Sequence, residues 1–481
     1  MINSLMKNWR DLGERTILGT VKTLLSAALF AAASVTFAVP NAHAAPRDIE
    51  QAEKLIWGSD GQLDPENGKL ILEKAAAEGD WVAKRVLGLH LIFGWVLNQD
   101  VAAGMKMLDE AADAGDAAAQ TALASIYLWG LAGETNLEAA RKNLEGASKL
   151  GDPEAMRILG EQLVLGEKFE QDLDVGLSYL KQGISLNDPK SAVTLGELYL
   201  FGRGVPRDRS KAREAVETAA TLGDGHGLVK YGEDTMWREI NATAAEKMLL
   251  RAADMGATEA YAILAEGAMY GYLGGGSVSR RKYAGYAEKA TEAEDGRVPL
   301  LEAERSMWGI GKRASGPAAL AGLTLAADKG NELAAMYLIA LQRDGNRYNV
   351  RRSISDAQDS LEKYGHLLSD KQKAQYAMTI DASKARTPAA YAPVAEAFEE
   401  RTELRSVWFG REIFKANPNV AFYILQKRLK AQGLYAGALN GYATRQTLRA
   451  VFKSCMAELD RSLCNDNVMR REVIGGLLAL D

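Results

Sequence analysis

Residues 188–223 read DPKSAVTLGELYLFGRGVPRDRSKAREAVETAATLG, and this stretch of 36 residues decides the fold. A turn that ends in Asp recurs at the same interval along the chain, at Gly79-Asp80, Gly115-Asp116, Gly151-Asp152, Asn187-Asp188 and Gly223-Asp224. Two sets of small residues keep the register, namely Gly88, Ala124, Gly160, Gly196 and Gly232, and Gly58, Gly94, Gly130, Gly166 and Gly202. Spacing this regular indicates a solenoid, because each unit must present the same faces to its neighbours.

Apolar residues fall at helical spacing twice within this unit. They occupy positions i, i+3, i+4 and i+7 first at Ala192, Leu195, Gly196 and Tyr199 and then at Ala212, Ala215, Val216 and Ala219. Residues 202–206 interrupt the pattern with two Gly and a Pro and predict a loop, and Gly223 fits a left-handed C-cap. Two helices with small apolar faces cannot bury a core alone, so stacking of units must supply it.

The segment Leu195–Val205 followed by Ala219–Asp224 resembles the Sel-one-like repeat, a relative of the tetratricopeptide repeat. Residues 264–271 (LAEGAMYG) with 252–256 (AADMG) are a second match. The resemblance implies an all-α fold, an α/α superhelical solenoid over residues 45–365 that acts as an interaction scaffold, and it implies no catalytic residues and no cofactors. About nine helix-pair units are counted, at 47–79, 80–115, 116–151, 152–187, 188–223, 224–256, 257–296, 297–330 and 331–365.

The first 44 residues differ from the rest of the chain. A basic segment leads into the apolar stretch 23–39, which ends at Pro40 before the small residues around His43. This order predicts a cleaved signal peptide, residues 1–44, and a mature periplasmic protein that begins near Ala45. An uncleaved membrane anchor is the alternative. No other apolar run reaches the ~18 residues of a membrane span, so none is expected in the mature chain.

The charge of the chain is unevenly distributed. The formal net charge is −5, yet residues 405–481 carry twelve Lys/Arg against six Asp/Glu, residues 1–44 carry four against two, and −13 remains on residues 45–404. An acidic body argues against nucleic acid as a partner, whereas the basic C-terminal end suits an anionic polysaccharide or another anionic envelope polymer. A solvated surface is the alternative interpretation of that basic end.

The repeat fades beyond Gly345. Residues 366–415 are expected to form a helical cap and linker that covers the last apolar face. Residues 420–452 look like the small three-helix peptidoglycan-binding-like domain, assigned here to 416–481 with a C-terminal extension. Eight residues carry its pattern: Gln426, Leu429, Gly433, Tyr435, Gly437, Asn440, Gly441 and Thr447. Such a domain either binds peptidoglycan or serves as a structural module, and both interpretations stay open.

The two cysteines, Cys455 and Cys464, follow the last helix of that pattern. On one continuous helix nine residues span about 13.5 Å, whereas a disulfide needs Cα atoms within about 7 Å. A bridge therefore requires the helix to end between them, and export makes a bridge the expected state. No metal site is predicted, because the histidines beyond residue 44 are scattered through the repeats, at His90, His226 and His366.

The sequence predicts no catalytic residues. Ser178–Lys181 and Ser360–Lys363 fit a Ser-x-x-Lys pattern, but the Ser-Asp-Asn and Lys-Thr-Gly segments that accompany it in penicillin-recognising enzymes are missing from the sequence. The chain is therefore interpreted as a non-catalytic scaffold for protein–protein interactions with other envelope proteins. It is similar to the periplasmic scaffold of alginate secretion, which implies a part in exopolysaccharide assembly, secretion or regulation. A cell-wall hydrolase of unrecognised type is the alternative.

One further set of residues steps by 36 and is aromatic in five of six cases: Trp57, Phe93, Trp129, Leu165, Phe201 and Trp237. At 100° per residue, Phe201 falls nearly opposite the apolar stripe of its own helix. The aromatic members are candidate binding residues, and Trp129 and Trp237 are expected to lie on a partner-binding surface, since aromatic faces bury much area at low entropy cost. The alternative is that each ring folds back onto the neighbouring unit.

Overall fold

This computed structural model of the protein describes residues 46–59, 61–346, 348–459, 461–464 and 467–480. Among these residues every regular element is helical and successive helices pair as in a repeat solenoid, which confirms the all-α fold class. The expected signal peptide lies outside the described residues. The described chain divides into two compact bodies, one that ends at Ile263 and one that begins at Leu264.

The first body contains helices of nearly uniform length. They are α1 Pro46–Trp57, α2 Pro65–Ala77, α3 Trp81–Phe93, α4 Val101–Asp113, α5 Ala117–Trp129, α6 Leu137–Lys149, α7 Pro153–Leu165, α8 Leu173–Ser185, α9 Pro189–Phe201, α10 Arg209–Thr221, α11 His226–Trp237 and α12 Ala242–Asp254. Helix α13, Ala260–Met269, begins in this body and continues into the next. Odd-numbered helices are the first and even-numbered helices the second of each pair.

The second body continues the pairs and then becomes irregular. Its helices are α14 Arg280–Glu292, α15 Val298–Trp308, α16 Gly316–Asp328, α17 Glu332–Asp344, α18 Ile354–Tyr364, α19 Asp370–Lys384, α20 Pro388–Glu400, α21 Val407–Ala416, α22 Pro418–Ala431, α23 Arg445–Glu458, α24 Arg461–Cys464 and α25 Arg471–Ala479. Short 3-10 turns lie at Tyr272–Gly274, Gly365–Leu367 and Thr402–Leu404.

Capping residues define each helix pair. In the unit 188–223 the Asp188 carboxylate accepts a hydrogen bond from the Ser191 amide (2.8 Å) at the start of α9, and Gly202 ends that helix at φ 69°. Asp208 then caps α10. The recurring Gly-Asp turn is thus a left-handed residue followed by an N-cap. Asn187 takes the glycine position at φ 63°, because Asn visits this conformation more readily than most residues.

The helices of a pair cross at small residues. A Cβ atom built on Gly104 of α4 would lie 2.5 Å from the carbonyl oxygen of Gly88 on α3, and the reverse distance is 2.9 Å. Gly160 and Gly176 repeat this contact at 2.8 Å in both directions. A methyl group does not fit between backbones this close, which explains why small residues recur at this register.

Two of the N-cap aspartates of the first helices, Asp116 and Asp152, also join neighbouring units, whereas Asp188 accepts hydrogen bonds from its own helix. In Asp116 one carboxylate oxygen accepts from the amide of its own helix (Ala119, 3.0 Å) and the other accepts from Arg85 Nε of the preceding unit (3.1 Å). Asp152 does the same one unit later, where the hydroxyl of Thr121 is the donor at 2.6 Å. Arg85 and Thr121 occupy equivalent positions. Burial raises the pKa of Asp152, while the bonds from Thr121 and the amides oppose that rise.

One continuous hydrophobic core runs through the second body from α15 to α25. Helix α25, which lies in the expected C-terminal extension, packs closely on α21 of the expected linker. A Cβ atom on Gly410 would lie 2.8 Å from the carbonyl oxygen of Gly475. The boundaries at 365/366 and 415/416 stay predictions, because this core crosses both of them.

The two cysteines are joined as expected. The Cys455–Cys464 disulfide has a Cα–Cα distance of 5.9 Å and links α23 to α24. Helix α23 ends at Glu458, between the two cysteines, as the distance argument required.

A buried ion cluster joins the last repeat pair to the cap. Arg343, at the end of α17, is fully buried and its guanidinium lies 2.6 Å from both Asp344 and Glu412. Lys415 Nζ lies 2.8 Å from Asp344. Although burial opposes ionisation, Arg343 and Lys415 lower the pKa values of both carboxyls, and the two carboxylates keep the pKa of Arg343 raised. The cluster fixes α21 against α17.

Replacing Glu412 by Gln should destabilise the protein by about 3–5 kcal/mol at neutral pH, because it leaves the buried cluster with two cations and one carboxylate, and so with an uncompensated positive charge. Carboxyls with lowered pKa values contribute stability that is present above their ordinary pKa and is lost as the pH falls through the lowered values. The variant should therefore lose less stability than the native protein between about pH 6 and about pH 3.

Urea unfolding across this pH range measures both effects. Glu403→Gln is the control, since this side chain is 60% exposed beside Arg401 and its loss should change stability by less than about 0.5 kcal/mol. Equal stability of E412Q and the native protein would contradict the role given to the cluster.

Candidate functional site

The residues at the ends of the first helices form the main candidate surface of the first body. We call this set the end-of-helix ladder: Trp57, Phe93, Trp129, Leu165, Phe201 and Trp237. Each of the first five is followed by a glycine in the left-handed region. The chain turns away at that glycine, so no further turn of the same helix follows the side chain.

Two ladder residues are substantially exposed. Trp129 and Phe201 each expose 40% of their surface. Lys168 Nζ lies 5.5 Å from the centroid of the Trp129 ring, and the guanidinium carbon of Arg238 lies 5.9 Å from that of Phe201. Each cation belongs to the unit that follows its ring. Trp and Arg are among the residue types that most often dominate binding energy at protein interfaces.

The N-terminal end of the ladder is packed instead. Trp57 lies 5.9 Å from Trp95 and 5.5 Å from His90 between ring centroids, and Phe93 stacks on Trp95 at 4.8 Å. His90 Nε2 and Glu53 Oε1 are 2.6 Å apart. The alternative interpretation therefore describes Trp57, whose ring contacts two residues of the next unit, whereas Phe93 stacks on a ring of its own unit. Sequence reasoning missed Trp95 and His90, which do not recur at the 36-residue interval.

The other two ladder residues are half-buried. Leu165 packs against the core around Leu180 and Leu195, and Trp237 is partly covered. The structure thus divides the ladder into two exposed members and four half-buried ones, of which Trp57 and Phe93 contact other aromatic rings. Binding by any of them stays a prediction.

A row of glutamates one helical turn before the ladder was not foreseen. Glu161, Glu197 and Glu233 each precede a ladder residue by four positions. Burial raises the pKa of Glu197, and the charge of Glu161 adds to this, whereas Lys230 and Arg157 oppose it. The signal was present in the sequence, because these glutamates also repeat every 36 residues. The first-helix face therefore combines aromatic, acidic and basic groups.

The second body carries equivalent helix ends that sequence reasoning missed. Tyr270 and Trp308 each precede a left-handed glycine. The Tyr270 hydroxyl donates to the buried Glu304 carboxylate, and the Trp308 ring meets Tyr348 edge-on at 5.6 Å. The unit 224–256 has 33 residues and the unit 257–296 has 40, so these positions fall out of the 36-residue count. The glycine that ends the helix was the signal that could have found them.

The peptidoglycan-binding-like motif is brought together around one buried side chain. Gln426 is fully buried, and its Nε2 donates to the side-chain oxygens of Asn440 (3.2 Å) and Thr447 (3.0 Å) and to the Tyr442 carbonyl (3.1 Å). Its Oε1 accepts from the amides of Asn440 (3.0 Å) and Gly441 (2.8 Å). Gln426 therefore holds the turn to the start of α23.

The other motif residues also serve the local fold. Tyr435 is buried and donates from its hydroxyl to the Ala438 carbonyl at 2.9 Å. A Cβ atom on Gly437 would lie 2.4 Å from that hydroxyl. Leu429 lies in the core, and Gly433 turns the chain at φ 72°. These contacts give the motif positions a role in the local fold, and wall binding by the module stays a prediction.

The described residues show no group of three or more His, Cys, Asp or Glu side chains placed to hold a metal ion.

One of the two Ser-x-x-Lys lysines, Lys363, has its ammonium 2.6 Å from Asp328 and 3.0 Å from the Tyr364 hydroxyl. Within the same part of the chain, no helix combines the length and the apolar character that crossing a membrane requires.

No family model matches the chain, and no curated protein matches it. Among solved structures it is similar to a Sel1 repeat protein from Oxalobacter formigenes, with 20% identity over 51% of this chain and 99% of that one and a TM-score of 0.41. It is also similar to c5321, a protective antigen of uropathogenic Escherichia coli with an SLR fold. The identity is 19% over 85% of this chain and 93% of that one, and the TM-score is 0.41. A third similar structure is immunity protein Pa5087 from Pseudomonas aeruginosa, with 18% identity over 46% of this chain and 83% of that one and a TM-score of 0.35. The repeat architecture described above rests on the helix pairs and caps of this chain itself.

Replacing Trp129 by Ala should cost about 1–2 kcal/mol, because the truncated site opens to solvent and encloses no cavity. The same substitution at Trp57, the equivalent position two units earlier, should cost about 3–5 kcal/mol because that ring is packed among others. Urea unfolding of the two variants measures the difference. Equal losses would mean that Trp129 is a packing residue and would remove it from the candidate surface.

Proposed function

We propose that this protein is a non-catalytic scaffold that is exported to the periplasm and binds other envelope proteins on its first-helix face. The observation that carries the proposal is the exposure of Trp129 and Phe201 at equivalent positions of the repeat. Equivalent positions of stacked units lie along one side of the stack. A partner that follows this side meets an exposed ring at both places, each beside a cation.

The mixed charge of this face supports a protein partner. The row of glutamates lies one turn from the rings, and Arg157 lies 3.8 Å from Glu161. Alternating charges around aromatic anchors give a partner both apolar contact and orientation. An amphipathic helix with its own charged flanks has the complementary chemistry.

Export is proposed from two features. One is the basic and apolar segment within residues 1–44, which has the order of a signal peptide. The other is the Cys455–Cys464 bridge, since disulfides persist mainly in oxidising compartments. The resemblance to the scaffold of alginate secretion supports a role in exopolysaccharide assembly, secretion or its regulation. The basic C-terminal region is proposed to contact an envelope polymer, either the wall or an anionic polysaccharide.

Site-specific photo-crosslinking tests the protein-binding face. A benzoylphenylalanine placed at position 129 or at position 201 should yield the same protein adduct in intact cells. Position 213 on α10 is the control, because Arg213 is exposed on a second helix. The absence of adducts at 129 and 201, or equal adducts at all three positions, would contradict the proposal.

A further inference from the structure

Residues 413–457 form a long stretch that is free of acidic side chains. They contain seven Lys/Arg and no Asp/Glu, in a chain with 63 acidic residues in 481. Two of these cations are used internally, since Lys415 pairs with Asp344 and Arg428 with Glu399 at 2.7 Å. Three of the others, Arg445, Arg449 and Lys453, lie on α23.

Helix α23 presents a row of exposed cations. Arg445, Arg449 and Lys453 are exposed and follow one another at intervals of four residues, which is about 6 Å along a helix. Phe452 lies in the same row and is 42% exposed, and Tyr442 is 53% exposed just before the helix. The opposite side of α23 is buried in the core through Ala450, Val451, Ser454 and Cys455. We call the five exposed residues the α23 basic face.

The part of the chain that the structure describes offers no anionic partner to the three cations of this face. Among the described residues, no carboxylate lies within ion-pair distance of Arg445, Arg449 or Lys453. Arg445 is moreover the first residue of α23, whose first turn carries no acidic residue. A cation at a helix N-terminus is unfavourable because the helix dipole is positive there. The stability of the fold therefore does not account for this arrangement.

We propose that the α23 basic face binds a polysaccharide that carries carboxylate groups. The planar guanidinium groups of Arg445 and Arg449 match a carboxylate with two parallel hydrogen bonds. The exposed rings of Tyr442 and Phe452 offer flat apolar surfaces to sugar rings at the beginning and along the row. This inference deepens the envelope-polymer contact of the proposed function by naming the polymer class and the residues, and it rests on that contact.

Two other anionic macromolecules fit this face less well. Proteins that bind duplex nucleic acid typically contact about 6–10 phosphates, and juxtamembrane clusters that bind anionic lipids hold about 4–8 Lys/Arg. The face supplies three cations. A polymer with spaced carboxylates and ring faces uses both the cations and the two aromatic residues.

The test measures binding of the purified full-length protein to polygalacturonate at fixed ionic strength. The double variant Arg445→Glu/Arg449→Glu should weaken binding by at least about tenfold. Its melting temperature should not fall, because an acidic residue at the start of α23 favours the helix dipole. Tyr442→Ala/Phe452→Ala should also weaken binding, and fully methyl-esterified polygalacturonate should not bind the native protein.

Lys142→Glu/Arg213→Glu is the matched control, with the same charge change on exposed residues of the second helices α6 and α10, and it should bind as the native protein does. Unchanged binding by the α23 variant, or an equal loss in the control, would overturn the proposal. Tighter binding to duplex DNA, phosphatidylglycerol vesicles or peptidoglycan sacculi through the same residues would overturn it in favour of that ligand. Crosslinking at positions 129 and 201 is independent of this face, so failure of the protein-binding proposal is distinguishable from failure of this one.

Discussion

The hydrogen bonds of two N-cap aspartates, Asp116 and Asp152, are the interaction on which the stacking of the units between residues 80 and 187 depends. In Asp116 and Asp152 one carboxylate oxygen starts a helix and the other binds a side chain of the preceding unit. A single residue thus fixes where a helix begins and how its unit meets the previous one. Because this residue recurs every 36 positions, the end of each first helix, and the side chain it presents there, recurs with it. The ladder is a consequence of that register.

Much of the fold could be predicted because its signals are local. An Asp after a left-handed Gly, a glycine at a helix end and a pair of cysteines nine residues apart each act within one or two turns of chain. Asn187 is a further local signal, because at φ 63° it adopts the left-handed conformation that glycine adopts in the other turns. The packing of α25 on α21 could not be predicted, because it joins segments about sixty residues apart through Gly410 and Gly475, which carry no periodic signal.

The candidate sites were predictable only in part, for the same reason. Periodicity located the ladder, but the exposure of Trp129 and the packing of Trp57 depend on side chains that do not repeat, such as Trp95 and Lys168. The C-terminal peptidoglycan-binding-like motif stays a prediction, and the structure gives its Gln426 an internal role. A motif identifies the residues that make a module, and the residues left on its surface decide what it binds. The charged side chains also differ between interior and surface. Arg343 is buried among carboxylates, whereas Arg445 and Arg449 on α23 are exposed.

Hydrogen exchange measured by mass spectrometry tests the central claim, that Asp116 and Asp152 hold neighbouring units in register. Asp152→Ala should reduce amide protection in α7, which it caps, and also in α5 of the preceding unit, where Thr121 loses its partner. Asp172→Ala is the comparison, because Asp172 caps α8 from an exposed position through the amide of Val175, and its loss should reduce protection in α8 alone. If Asp152→Ala reduced protection only in α7, the aspartates would be ordinary caps and the account of the stacked register would be contradicted.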